Sequence, residues 1–346
     1  MSEVSFSPNG WSSPDNSTES PKISVVIPAL NEEENIETCL ESVFEAFRDG
    51  PSFEVILVDS NSEDATVERA QQYPITVLQI TEDDLTTPGA GRYVGWKAAS
   101  GDLILFVDAD MEVATGWIQE AQRIIEEDDS VSGIDGYLNE TESDEQKSVN
   151  AIHGVMLYDA AALDEVATFD PFLKGYEDII LGFQLRAAGY DLLRLPTVSA
   201  THARPYEISQ LKRRWSNGYM YGLGQVVRQS LSSPQILKLL LIRNLMFVLF
   251  LLLFSLGVAT LVVSPVMFVG WVAMAVSLFV ADALWEGPSF ATERWVRNGI
   301  SWIGFCRGFV MEVREPSEFP LETVDVVTEN DYHETGREIK PVVSAS

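Results

Sequence analysis

A stretch of nineteen residues without a charge, 245–263 (LMFVLFLLLFSLGVATLVV), limits this 346-residue chain more than any other feature. At about 1.5 Å per helical residue it reaches about 28 Å, close to the hydrocarbon thickness of a bilayer. Ser264 and Pro265 interrupt it, and a second apolar run, 266–281, continues to Asp282 and Trp285. The two runs predict a pair of transmembrane helices over 236–285; a buried helical hairpin of a soluble protein is the competing reading. Lys238 and Arg243 precede the first run, while Arg294, Arg297 and Arg307 follow the second. No Lys or Arg lies between the runs, so the positive-inside rule puts both flanks on the cytoplasmic face of the cell membrane. Residues 286–311 read as a juxtamembrane amphipathic segment; within this region 299–313, with Trp302, Phe305 and Phe309 against Arg307, is too short to span and suits the membrane interface.

The rest of the chain is strongly acidic. Lys and Arg number 23 against 52 Asp and Glu, a formal net charge of -29. Such a surface repels nucleic acid and offers it no phosphate-neutralising footprint, which argues against a nucleic-acid partner. Two cysteines, Cys39 and Cys306, are too few for a disulfide framework. Residues 1–21 lack both a basic start and an apolar core, so they predict a flexible leader and not a signal peptide. Residues 312–346 predict an acidic tail, solvated or partly disordered.

Between leader and spans, residues 22–232 alternate strand-like and helix-like segments, the pattern of an α/β domain with a mainly parallel sheet. Strands are predicted over 23–28, 54–58, 75–80 and 103–107. Ile36, Leu40, Val43, Phe44 and Phe47 recur at helical spacing, and helices are also predicted over 65–70 and 89–99. Four strands thus end near one edge, where open α/β sheets bind ligands. Asp108 and Asp110 stand just past the fourth strand. Residues i and i+2 of an extended chain point the same way, so both carboxylates can face one divalent cation. Oxygen ligands suit Mg or Mn, and such an ion usually also holds substrate phosphates.

Five blocks then arrive in order: Val26-Ile27-Pro28-Ala29-Leu30-Asn31-Glu32-Glu33, Val58-Asp59-Ser60-Asn61-Ser62-Glu63-Asp64-Ala65-Thr66, Gly91-Arg92 with residues 98–102, Asp108 with Asp110, and Gly175-Tyr176-Glu177-Asp178. Together they make residues 22 to about 220 resemble the family 2 inverting glycosyltransferases of the GT-A fold. The resemblance implies an α/β, Rossmann-like, mainly parallel sheet with helices on both faces, followed here by the two-helix transmembrane region. It also implies a nucleotide-sugar donor, with Pro28, Ala29, Asn31, Glu32, Asp59, Arg92 and Asp108 as nucleotide-binding positions. Carboxylates suit ribose hydroxyls and base N–H groups because they accept hydrogen bonds from both. Asn31 and Glu32 fit helix capping as well, Asp64 fits it better than ligand binding, and Arg92 equally fits a surface ion pair.

By the same resemblance Asp110, aided by Asp108, is the metal ligand that bridges the diphosphate, with His202 completing the shell from a loop. A lone histidine is more often structural. Inverting transfer needs a base for the acceptor proton, and Asp178 is the candidate, supported by Glu177. The competing reading is an ordinary first-turn acid; toward an acceptor that is already an ionised phosphate, Asp178 orients it instead. The segment Gln210-Leu211-Lys212-Arg213-Arg214-Trp215 resembles a Q-x-x-R-W block of polysaccharide-synthesising relatives. Leu211 stands where they carry glutamine, which argues against a processive polymer synthase. Arg204, Arg213, Arg214 and Trp215 are the candidates for an acceptor or phosphate site; a plain juxtamembrane positive cluster explains the charges equally well.

These readings lead to one expected activity: metal-dependent transfer of a single sugar from a nucleotide donor to a lipid-linked acceptor, dolichol phosphate or a dolichol-linked glycan. The acidic composition resembles that of halophilic archaea, where such transfer serves protein N-glycosylation or surface-glycan assembly. The alternatives are a polyprenyl-phosphate monosaccharide synthase and a noncatalytic membrane partner that kept the fold. The sequons at Asn16 and Asn139 should stay unmodified under the proposed topology.

Overall fold

The structure is a computed structural model that describes residues 22–48, 50–166, 169–202, 215 and 217–329. The predicted leader, Asn16, and the tail beyond 329 lie outside the described residues. The chain divides into two compact units. Among the described residues, one is built from those up to 173, from 177 to 202 and from 314 onward; the other from 174–176 and those between 215 and 313.

The first unit is a sheet with ten strands among the described residues: β1 (Ile23–Ala29), β2 (Phe53–Asp59), β3 (Thr76–Ile80), β4 (Leu103–Val107), β5 (Met111–Val113), β6 (Val131–Leu138), β7 (Lys147–Val149), β8 (Val155–Asp159), β9 (Asp191–His202) and β10 (Val324–Thr328). Their order is β10-β3-β2-β1-β4-β8-β6-β9-β5, with β7 on β9. Strands β3, β2, β1 and β4 pair in parallel, as expected for fully apolar runs. Beyond β4 the sheet turns mixed: β8 is antiparallel to both β4 and β6, whereas β6 and β9 are parallel. The expectation of a mainly parallel sheet holds for that half alone.

Alternation along each strand feeds two cores. Val25, Ile27, Val55, Leu57, Leu103 and Leu105 face one side, with α1 (Ile36–Ala46), α2 (Thr66–Ala70) and α4 (Trp117–Glu127). Val26, Ile56, Val58, Ile104 and Phe106 face the other, with α3 (Pro88–Ala98), α5 (Ala160–Val166) and α6 (Glu177–Ala188). Helix α3 lies unusually close to β1. A Cβ on Gly95 would stand 2.2 Å from Val26 Cγ1, and one on Gly91 would stand 2.8 Å from Pro28 Cβ. Only glycine permits that approach at these two turns.

The segment after residue 313 corrects the expectation of a solvated tail. Val324, Asp325 and Val326 pair antiparallel with Ile80, Gln79 and Leu78, so β10 covers the outer edge of β3. Phe319, 4% exposed, packs against Tyr93 and Phe172, and the Arg314 guanidinium stacks 4.0 Å over the Phe172 ring. Acidic residues hide this strand from a compositional reading; its alternating valines and the bare edge of β3 account for it.

The second unit is helical: α7 (Gly222–Gln229), α8 (Pro234–Arg243), α9 (Leu245–Val263), α10 (Pro265–Glu286) and α11 (Pro288–Val310). Helices α9 and α10 are long and apolar enough to cross a membrane and leave side chains such as Val262, Leu284 and Trp285 exposed. Trp271 Nε1 donates to Leu253 O at 2.9 Å, and the ring fills the space over Gly257. Helix α11 takes up nearly the whole of the segment 286–311. It is anchored by Arg294 on Asp282 at 2.7 Å and by Trp295 Nε1 on Asp282 at 3.1 Å. At its other end Gly304 and Gly308 meet the backbone of Met220 and Tyr221, the close contact that small residues allow between helical segments.

Candidate active site

The loops that leave β1 and β2 are laced together at the carboxyl edge of the parallel half. Asn31 and Asn61 both take left-handed backbone, φ 55° and 63°, a conformation asparagine tolerates. The Asn31 N–H donates to Ser62 Oγ at 2.9 Å, and Asn31 Oδ1 accepts from the Glu63 N–H at 2.8 Å. Glu32 is buried; its N–H donates to Thr66 Oγ1 at 2.8 Å and its carboxylate accepts from Asn35 Nδ2. Asp64 accepts from the Thr66 and Glu33 N–H groups and so ties the two loops together; the N-cap of α2 is the next residue, Ala65, and not Asp64 as expected. Asp59 is fully buried and accepts from the Ser62 N–H and from Gln79 Nε2, both at 2.9 Å. Gln79 was missed, although a lone amide within TVLQI beside Asp59 is a signal. Ala29 is buried in the core, and Pro28 rests on Gly91.

One strand over, Asp108 and Asp110 close β4. The Asp108 carbonyl accepts the Met111 N–H at 2.9 Å, a tight turn that sends the chain straight into β5. Strand β5 pairs antiparallel with the end of β9 in the register Met111 to His202. That register brings His202 Nε2 to 3.0 Å from Asp110 Oδ2. His202 is thus the last residue of a strand, not a loop residue, and its position is fixed from both sides. Its own N–H donates to Asn139 Oδ1 at 2.9 Å, and Asn139 holds φ 65° where β6 ends. Sequence reasoning gave Asn139 no part in the site.

Asp108 faces a different partner. Arg92, carried inward on the glycine-faced helix α3, has a side chain only 8% exposed. One terminal nitrogen pairs with Asp108 Oδ1, and the other donates to Glu177 Oε1 at 2.8 Å. The expected nucleotide contact is therefore turned toward two carboxylates. Burial lowers the affinity of the guanidinium for its proton, but Asp108, Glu177 and Asp178 outweigh it, so Arg92 stays charged. Burial pushes the Asp108 carboxyl up, opposed by Arg92 and reinforced by Asp110 and Asp178. Burial also pushes Glu177 up, to about 7, against the pull of Arg92. Arg92 Nε and Glu177 Oε2 are buried with no hydrogen-bond partner among the described residues.

Glu177 and Asp178 open α6, where carboxylates meet the positive end of the helix dipole. Ile180 and Phe183 bury against the core, Ile179 is half-buried, and the half-buried Asp178 accepts the Ile179 N–H at 2.7 Å. Tyr176, just before them, has φ 70°, a costly backbone for an aromatic residue. Arg204, Arg213 and Arg214 lie outside the described residues. Trp215, in the helical unit, meets Tyr221 edge-on at 5.6 Å.

The donor set fits a hard divalent ion. Asp110 and His202 are in contact and partly open to solvent, and Asp108 ends the same strand. Among the described residues no three His, Cys, Asp or Glu side chains close into a metal group. An ion here would depend on oxygens brought by a ligand, the usual condition for Mg or Mn at a diphosphate.

Comparison with known proteins gives this geometry a family. Residues 24–178 match Glycosyl transferase family 2. A dolichol-phosphate mannosyltransferase of Pyrococcus furiosus is 24% identical over 197 residues, 54% of this chain and 55% of that protein. Glycosyltransferase AglE of Haloferax volcanii is 34% identical over 118 residues, 33% of this chain and 38% of that protein. The chain thus spans about half, or less, of the length of these relatives. In fold it is similar to the mannosyltransferase PcManGT from Pyrobaculum calidifontis, solved in complex with GDP-Man and Mn2+. The TM-score is 0.58 at 18% identity, over 86% of this chain and 89% of that one. The matched residues, the β-strand edge they build and the shared architecture agree: residues 24–178 match the family 2 glycosyltransferases, in a sheet of the GT-A fold.

Proposed function

We propose that the protein transfers one hexosyl residue from a nucleotide-sugar donor to a lipid-linked acceptor, with inversion, at the cytoplasmic face of the membrane. The observation that carries this reading is the meeting of Asp110 and His202 at the edge where β4 ends, in a sheet whose α6 opens with Glu177 and Asp178. The nucleoside half of the donor goes to the laced loops of Asn31, Glu32 and Asp59. Asp110, His202 and Asp108 would hold Mg or Mn, which when bound supplies positive charge against the departing diphosphate. Asp178 takes the proton of an acceptor hydroxyl as its oxygen attacks, or orients an acceptor that is already an ionised phosphate. Helices α9 and α10 keep the domain where a polyprenyl acceptor lies, and basic residues on both flanks of the pair support the cytoplasmic side.

A second reading, loading of free dolichol phosphate in place of extension of a lipid-linked glycan, is favoured by the likeness to a dolichol-phosphate mannosyltransferase. One experiment separates the two. Membranes containing the protein are given GDP-mannose, UDP-glucose or UDP-N-acetylglucosamine with Mn or Mg, and either dolichol phosphate or a dolichol-linked glycan. The lipids are then weighed by mass spectrometry. A gain of one hexosyl unit on either lipid that Asp110→Ala and Asp178→Asn abolish supports transfer and names the acceptor. Equal product from both variants overturns the mechanism, and no product from any pair overturns the function.

A further inference from the structure

We propose that Arg92 is a positioning residue for sugar transfer: its guanidinium, shared between Asp108 at the end of β4 and Glu177 at the start of α6, orients Asp178 without touching the donor. The inference rests on the reading of Asp178 as the group that faces the acceptor.

Exposure separates Arg92 from the substrate. The Asp108 side chain is 33% exposed, whereas those of Arg92 and Glu177 are 8% and 7% exposed. A ligand arriving at the strand edge therefore meets Asp108 first, and Arg92 only through it. Chemistry separates Arg92 from a purely structural role. A buried and a half-buried carboxylate on one buried cation, with Arg92 Nε and Glu177 Oε2 left unpaired, are a poor way to gain stability. A well-packed apolar cluster of the same volume does as well or better. What the arrangement provides is a fixed geometry. The planar guanidinium spans two carboxylates on elements more than sixty residues apart in sequence, as Lys cannot with a single ammonium.

The scaffold is built for this span. Gly91 and Gly95 press α3 onto Pro28 and Val26, and Gly89, where a Cβ would stand 2.2 Å from Asp170 O, seats its first turn. The guanidinium also lies 5.6 Å from the centre of the Phe169 ring. Because one cation serves both carboxylates, whatever draws on Asp108 at the donor side changes the hold on Glu177 beside Asp178. Donor occupancy is in this way felt at the acceptor side.

The test is a double-mutant cycle in the full-length protein with Arg92→Lys, Arg92→Met and Asp178→Asn. Binding of GDP and UDP with Mn2+ is read by calorimetry, and transfer from the donors of the panel gives kcat. Arg92→Lys, which keeps the charge and preserves the fold if Arg92→Met does not, should lower kcat about tenfold or more while nucleotide affinity changes less than about threefold. In the Asp178→Asn background the same substitution should have little further effect, because both act on one step. A loss of nucleotide affinity that matches the loss of kcat/KM makes Arg92 a donor contact and overturns this inference alone. Full additivity with Asp178→Asn also overturns it alone. An Asp178→Asn variant with wild-type turnover overturns the acceptor-base reading and this inference with it.

Discussion

The side-chain oxygen of Asn139 accepts the backbone N–H of His202 at 2.9 Å, and His202 in turn reaches Asp110 at 3.0 Å. A residue at the end of β6 thereby fixes the last residue of β9 against the acid that follows β4. Asn139→Ala removes the acceptor but leaves an exposed N–H that water can satisfy, so the stability loss should stay within about 1 kcal/mol. The Mn2+ concentration for half-maximal turnover should rise about tenfold, in the range seen for groups that hold metal ligands in place. Mn2+ binding followed by electron paramagnetic resonance checks this apart from activity; an unchanged binding curve refutes the role of Asn139.

Gly95→Ala tests the close approach of α3. Alanine normally favours a helix over glycine by about 1 kcal/mol. Here its Cβ would fall 2.2 Å from Val26 Cγ1, on a buried β-branched side chain that cannot rotate away. Overpacking should win, with a net loss of about 1–3 kcal/mol seen as a lower Tm in detergent. A raised Tm would show that the helix has room to lift.

Glu177 should give stability a measurable pH dependence. Its carboxyl is pushed up to about 7 by burial, from an ordinary value of 4.5. Between those values the folded protein holds a proton that the unfolded chain has released. Stability from this group is therefore greatest below about 4.5, falls as pH rises, and levels off above about 7, by at most about 1.4 kcal/mol per unit. Glu177→Gln cannot titrate, so wild type should lose Tm relative to the variant as pH rises from about 5 to about 7, roughly the window between the two values. Parallel pH profiles of Tm would remove Glu177 as the titrating group.

Phe319→Ala should cost about 3–5 kcal/mol, the usual range for a buried phenylalanine. The ring is 4% exposed and meets Tyr93 of α3 at 5.7 Å and Phe172 at 6.0 Å. Hydrogen exchange should quicken first in Val324–Thr328, because β10 joins the sheet only through β3. If exchange is unchanged there, the strand does not depend on this contact.

The parts of the fold that could be read from sequence are those whose burial is uniform. Strands β1 to β4 are apolar on both faces, so continuous runs reveal them, and Asp108 and Asp110 stand out by ending one. Strand β6 (VSGIDGYL) carries two glycines and Asp135, whose charge is fully buried against Arg194 at 2.8 Å. A buried ion pair supplied by a distant strand erases the apolar signal that would have revealed either partner. Strand β9 contains Pro196, and β10 lies among acids. The same holds in the site. The place of Asp178 at the start of α6 was legible through its motif, but the inward turn of Arg92 depends on two glycine contacts with β1. The part played by Asn139 depends on a β5–β9 register that local sequence does not encode.

Strand β10 carries one more consequence. It hydrogen-bonds to β3, so the chain that enters the helical unit from this sheet comes back to the same sheet after leaving it. A domain folded from both flanks lies on one side of any bilayer, and the number of crossings between residues 202 and 324 must then be even. Among the described residues three long helices occupy that interval, and parity forbids all three from spanning. If two of them cross, the charge-poor pair is α9 and α10, because α11 carries Glu293, Arg294 and Arg297 in its first half.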